Sequence, residues 1–185
     1  MTVMNLVQAI NLALKQEMEK DSTVMILGED VGRDGGVFRV TEGLFDKFGA
    51  DRVVDTPLAE VGIISSSIGL AIAGMKPIAE VQFDGFSLPM LDQLYNHAGR
   101  MRRRSQGKWH VPLVLRVPHG GGIRALEHHT ESLEAFFSHI PGIKVVAPSG
   151  PYNAKGLLVS SIRDPDPVVF LEPKRVYRAI KEEVP

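Results

Sequence analysis

The sequence predicts an α/β domain built on a mostly parallel sheet with helices on both faces. Three observations predict it. Short apolar runs alternate with segments of helical periodicity along the whole chain. Runs such as Val24-Met25-Ile26-Leu27 and Val168-Val169-Phe170-Leu171 are apolar throughout, as in strands covered on both sides. With 185 residues, 44% of them hydrophobic, the chain has the volume for one full core.

Leu6, Ile10, Ala13, Leu14 and Met18 recur at helical spacing, and the strand Thr23–Leu27 follows, ended by Gly28. A short helix over Thr41–Phe48 leads to the strand Arg52–Asp55, which Pro57 stops. Glu60–Gly74 reads as a buried helix, with Thr56 as its N-cap and Pro57 at its first position. Pro77–Val81 is the next strand and Ser87–Arg104 one long helix carrying Leu88, Leu91, Leu94, Ala98 and Met101. Strand Pro112–Val117, helix Thr130–Ser138, strand Lys144–Ala147, helix Pro151–Arg163 and strand Val168–Leu171 complete the pattern. The polar stretch Lys181–Pro185 reads as the start of a linker, which leaves 1–180 as the domain.

In open α/β sheets ligands bind beyond the carboxyl ends of the strands. Glu60, Phe86 and His129 all fall in or just after those loops. Glu60 opens a helix that is otherwise almost wholly apolar. It is either a first-turn acid complementing the helix dipole or a carboxyl group whose apolar surroundings raise its proton affinity for chemistry. Phe86 is a core aromatic or a stacking face. His128-His129-Thr130-Glu131 follows a glycine loop, with Thr130 as the expected cap of the next helix. A metal reading would use His119, His128, His129 and Glu131, but adjacent histidines rarely face one ion and no H-x-x-x-H spacing occurs. Asp84 reads as a cap for the helix that follows it. Arg100-Met101-Arg102-Arg103-Arg104 reads as a helix end rich in cations.

A net charge of −1 gives no electrostatic case for nucleic acid or membrane binding. There is no cysteine and no signal-peptide pattern in residues 1–19, and the apolar run 61–74 is broken by three serines and too short to span a bilayer. The expected location is cytoplasmic.

Leu27-Gly28-Glu29-Asp30-Val31-Gly32, Asp55-Thr56-Pro57-Leu58-Ala59-Glu60, Pro141-Gly142-Ile143-Lys144-Val145-Val146 and Glu172-Pro173-Lys174-Arg175-Val176-Tyr177-Arg178-Ala179 occur in this order along the chain. On these motifs the chain resembles the N-terminal, pyrimidine-binding domain of the beta chain of the E1 component of 2-oxoacid dehydrogenase complexes. The resemblance implies thiamine diphosphate as cofactor, with Glu60 on its aminopyrimidine ring, Phe86 against that ring, and His129 assisting later proton transfers. It implies oxidative decarboxylation of a 2-oxoacid and acyl transfer to the lipoyl arm of E2. It also implies a potassium ion held by the carbonyls of Leu113, Ser161, Ile162, Asp164 and Asp166. Thr130-Glu131 stands where the family has Ser-Gln, an added acid expected to raise the proton affinity of His129. The segments Glu172-Pro173-Lys174 and Tyr177-Arg178-Ala179 lean toward branched-chain substrates.

The chain has no G-D-G segment, no asparagine between Asn11 and Asn96, and no phosphate-binding glycine loop. This chain is therefore not expected to hold the diphosphate or Mg2+ by itself; the resemblance implies that an E1 alpha chain supplies that half of the site within an α2β2 assembly, and that a second beta-chain domain lies beyond the linker. Two readings stay open beside this one: a transketolase-like subunit acting on sugar phosphates, and a non-catalytic assembly domain.

Overall fold

The computed structural model describes residues 1–185. Its elements are β1 (Thr2–Met4), α1 (Leu6–Lys20), β2 (Val24–Gly28), α2 (Leu44–Phe48), β3 (Val53–Asp55), α3 (Glu60–Ile72), β4 (Lys76–Glu80), α4 (Gly99–Arg104), β5 (Val114–His119), α5 (Glu134–Ser138), β6 (Lys144–Val146), α6 (Pro151–Ile162), β7 (Val168–Pro173) and β8 (Glu182–Val184). Six strands form one sheet in the order β3-β2-β4-β5-β7-β6, every neighbouring pair parallel. That is the architecture the buried strands and helical crossovers predict.

Each face of the sheet carries its own core. On one side α1 and α6 pack with Ile26, Ile78, Val114 and Phe170 of the strands. On the other, Ile63, Ile64 and Ile68 of α3 and Met90, Leu94 and Ala98 pack with Leu27, Ala79, Leu115 and Val169. The strict alternation along each strand, with Val114 facing one core and Leu115 the other, is the two-residue strand period. α1 starts where it does because Asn5 and Gln8 close a reciprocal capping box.

The structure corrects several expectations. Helix α3 is not capped by Thr56. The Thr56 amide donates to the Gly28 carbonyl at 2.9 Å, which continues strand pairing, so Ala59 is the N-cap and Glu60 the first helical residue. The expected helix over 87–104 is three pieces: a 3₁₀ segment over Asp84–Met90 that contains Pro89, π turns over Gln93–Ala98, and α4. Pro89 has no N–H to give an α-helical ladder. Thr130 does not cap α5, which begins only at Glu134, because Asp84 takes the Leu133 amide at 2.8 Å. Residues 182–184 are not loose polar chain. They pair antiparallel with β1, Thr2 opposite Val184, and Val184 is buried. No helix is long and apolar enough to cross a membrane.

Candidate active site

The carboxyl ends of β2, β3 and β4 deliver three loops to one rim of the sheet. The first, over 29–36, is held in place by Asp55, the last residue of β3. Its carboxylate accepts the Gly32 amide at 2.5 Å and the Arg33 amide at 3.3 Å. Thr41 adds a bond from its hydroxyl to the Val31 carbonyl at 2.6 Å. The second loop carries Pro57 to Glu60, and the third runs from Gln82 into Phe86.

Glu60 and Phe86 meet there, across an open groove of about 320 Å3 that Leu58, Leu88 and His128 also line. The Glu60 carboxylate is half-buried at the first position of α3. Its neighbour Glu29 has its carboxyl pushed up, first by burial and then by the charges of Asp30 and Glu60. The rim therefore concentrates carboxylates beside an apolar wall.

Both histidines pack on the aromatic residues of this wall. His128 lies nearly parallel to Phe86, ring centroids 6.0 Å apart, and faces the groove. His129 stands edge-on to Phe83 at 4.5 Å and to Phe86 at 5.3 Å. His128, rather than His129, is the histidine on the groove lining. The Glu131 carboxylate turns to the His128 backbone amide at 3.4 Å instead of reaching the His129 imidazole, so the expected acid–imidazole pairing does not form. The metal grouping of His119 with His128 and His129 does not form either, because His119 turns toward Asp84 and Glu134.

Gly85 makes the approach of this histidine loop possible. Its amide donates to the His128 carbonyl at 3.0 Å, and a Cβ at Gly85 would stand 2.4 Å from the His128 Cα. Backbone atoms cannot yield as a flexible side chain can. Gly85→Ala is expected to destabilise the domain by about 1–3 kcal/mol and to raise hydrogen exchange in residues 126–131. An unchanged melting temperature with unchanged exchange would contradict this.

Beneath the rim lies a buried polar group that sequence reasoning missed. Glu80, Arg116 and Glu172 sit on three adjacent strands and share the face of Val114 and Phe170. Arg116 donates to Glu172 through Nε at 2.6 Å and Nη2 at 3.0 Å, and to Glu80 through Nη1 at 2.6 Å. The Tyr177 hydroxyl donates to Glu172 at 2.6 Å. Burial alone would lower the guanidinium's proton affinity, but Glu172 and Glu80 more than offset it and hold Arg116 above its ordinary value. Burial pushes the Glu80 carboxyl up against the pull of Arg116, with Glu172 adding repulsion. Burial, then Glu172, also raises Tyr177. Glu172 and Tyr177 thus serve the interior of the domain.

The five residues expected to hold potassium through their carbonyls lie at the end of α6, in the turn after it, and just before β5. Ser161 and Ile162 end α6, Asp164 and Asp166 form the turn that follows, and Leu113 accepts the Val168 amide at 2.9 Å beside them. Around this corner Lys144 pairs with Asp164 at 2.8 Å and Arg102 with Asp166 at 2.7 Å.

Residues 2–180 match the transketolase pyrimidine-binding domain family. The chain belongs to that family. As a pyrimidine-binding domain it is 62% identical over its whole length to the pyruvate dehydrogenase E1 component subunit beta of Acholeplasma laidlawii. It is 54% identical over its whole length to the 2-oxoisovalerate dehydrogenase subunit beta of Bacillus subtilis. The chain spans 57% of the length of each of these relatives. Among solved structures, a split-gene transketolase described as an inactive beta4 tetramer superposes with a TM-score of 0.72 over 91% of this chain and 51% of its own, at 16% identity. That likeness is one of fold. The groove of this pyrimidine-binding domain lies where the strand ends place it, with an acid on one wall and an aromatic face on the other.

Proposed function

We propose that this domain is one half of the active site of a thiamine diphosphate-dependent 2-oxoacid dehydrogenase E1, which decarboxylates a 2-oxoacid and passes the acyl group to the lipoyl arm of E2. The observation that carries the reading is the meeting of Glu60, Phe86 and His128 on one groove. An aminopyrimidine ring needs a carboxyl group at a ring nitrogen and an apolar face to lie on, and this donor set fits both. When bound, thiamine diphosphate supplies the electron sink for the decarboxylation.

The chain's own residues bind, orient and move protons. Glu60 offers its carboxyl group to the ring nitrogen as the acid–base partner. Phe86 offers its ring as the stacking face, and Phe83 fixes the angle of Phe86 from behind at 6.0 Å. His128 and His129 supply imidazole N–H groups to oxygens or sulfur that gain charge. His129 keeps its assigned part in the later proton transfers, while His128 is better placed toward the groove.

An E1 alpha chain is the proposed source of the Mg2+ and diphosphate half, within an α2β2 assembly located in the cytoplasm. The carbonyls of Leu113, Ser161, Ile162, Asp164 and Asp166 are the proposed potassium ligands. Relatives of the pyruvate type and of the 2-oxoisovalerate type match at 62% and 54% identity, so these two 2-oxoacids are the substrates to compare. The test is dye reduction coupled to decarboxylation by the full-length chain purified with its alpha partner, comparing pyruvate, 2-oxoisovalerate and a sugar phosphate. Turnover with either 2-oxoacid supports the reading and names the substrate. Turnover with the sugar phosphate alone, or none from a complex that binds the cofactor, overturns it.

A further inference from the structure

His119 closes β5 on the face of the sheet that carries α3 and α5. Its Nδ1 stands 3.7 Å from the Asp84 Oδ2 and 3.7 Å from the Glu134 Oε2. The three donor atoms all lie within 4.8 Å of one another. Asp84 is wholly buried, and its Oδ2 is oriented by the Leu133 amide at 2.8 Å. Its Oδ1 and the Nδ1 of His119 are buried without any hydrogen-bond partner. A buried acceptor left unpaired costs about 1–3 kcal/mol, and more when charged. The Asp84 oxygen and the imidazole nitrogen, an acceptor in one of its two tautomers, stand beside a second carboxylate, and one shared cation would satisfy all three.

We propose that Asp84, His119 and Glu134 form a binding site for a divalent transition-metal cation of the zinc class, separate from the groove that holds Glu60. One imidazole and two carboxylates are the ligand types that zinc and its neighbours take. Tetrahedral ligands at about 2.0–2.1 Å from an ion stand about 3.3–3.4 Å apart, so each imidazole–carboxylate spacing has only to close by a few tenths of an ångström. Glu134 supplies that movement, because its side chain is 53% exposed while Asp84 is fixed. The Leu133 amide on Asp84 is the kind of outer contact that orients a ligand.

Lys174 is the opposing group. It is buried, its Nζ has no partner, and it feels the charge of Asp84. Two carboxylates outweigh one ammonium, so a cation is still attracted, at an affinity that the lysine limits. The bound ion would join the loop after β4, the end of β5 and the start of α5. Those are the anchor points of the 120–132 segment that carries His128 and His129, so the site acts as a clasp on that loop.

The test uses the full-length chain in the assembly with which it purifies, stripped with a chelator and held in excess Mg2+ to fill hard-ligand sites. Co2+ is the probe, read by its visible absorption and by metal content. The expected result is one more equivalent of Co2+ per chain than in His119→Gln, with bands that Zn2+ displaces. Glu134→Gln, at an exposed position that leaves the fold intact, is expected to weaken binding by more than about tenfold. Lys174→Met is expected to tighten it, and Zn2+ to slow hydrogen exchange across residues 120–132. No bands, or the same Co2+ stoichiometry and affinity in Glu134→Gln as in the unaltered chain, would overturn the site whatever the dehydrogenase assay shows.

Discussion

Glu60→Gln is expected to abolish turnover and leave the melting temperature of the protein nearly unchanged. The amide is isosteric with the acid but cannot hold and return a proton at the ring nitrogen. Losing a positioned acid–base group of this kind lowers rates by about 10²–10⁴-fold. The structural cost is small, because a first-turn acid on a helix contributes only about 0.3–1 kcal/mol and Glu60 is half-buried at that position. The two readouts therefore separate the two readings of this residue. A merely dipole-complementing Glu60 predicts a slight fall in stability with full activity. A catalytic one predicts the reverse, and retained turnover in the complex would remove the assignment.

Arg116→Met is expected to act in the opposite sense, on the fold before the chemistry. It leaves Glu80 and Glu172 buried on neighbouring strands with no cation between them. Breaking a buried ion pair from one side costs about 3–5 kcal/mol, a large part of the stability of a domain this size. Adding Glu80→Gln and Glu172→Gln to the variant is expected to recover much of the loss, since the cost comes from stranded charge rather than from missing volume. The pH dependence follows from Glu80. Its carboxyl is raised above the ordinary carboxylate value by burial, so the folded state binds that proton more tightly than the unfolded chain does. This contribution is fully present below the ordinary carboxylate range and is lost as pH rises toward the shifted value. In Arg116→Met the raised range widens, so the stability deficit is expected to shrink between pH 8 and pH 5. Equal deficits at both, measured by denaturant unfolding, would contradict the account.

The regular elements were legible because their cause is local. α1, α6 and the strands declare themselves through apolar spacing and through the Gly and Pro residues that stop them. The groove was legible to the extent that it lies in loops after strand ends, where Glu60 and Phe86 do meet. Other features depend on register, which no short window of sequence contains. Glu80 and Arg116 are 36 residues apart in the chain and Arg116 and Glu172 are 56 apart; only the pairing of β4, β5 and β7 makes them neighbours. Asp84 binding the Leu133 amide, 49 residues away, shortened α5 in the same unseen manner. β1 and β8 escaped notice because Thr2-Val3-Met4 and Glu182-Glu183-Val184 are too short and too polar to show strand periodicity. His128 was set behind His129 by the resemblance, and the left-handed turn at His128, φ 70°, is what swings its ring onto Phe86.

The ribbon made by β1 and β8 also determines how the domain responds to force. Because Thr2 lies opposite Val184, the polypeptide enters and leaves the ribbon at the same edge. Tension applied between those two points peels the two strands apart like a zip, one hydrogen bond at a time, instead of shearing all of them together. The ribbon is three residues long on each side, so it gives way at low load before the parallel sheet is strained. Mechanically, the domain carries a weak outer link that opens first.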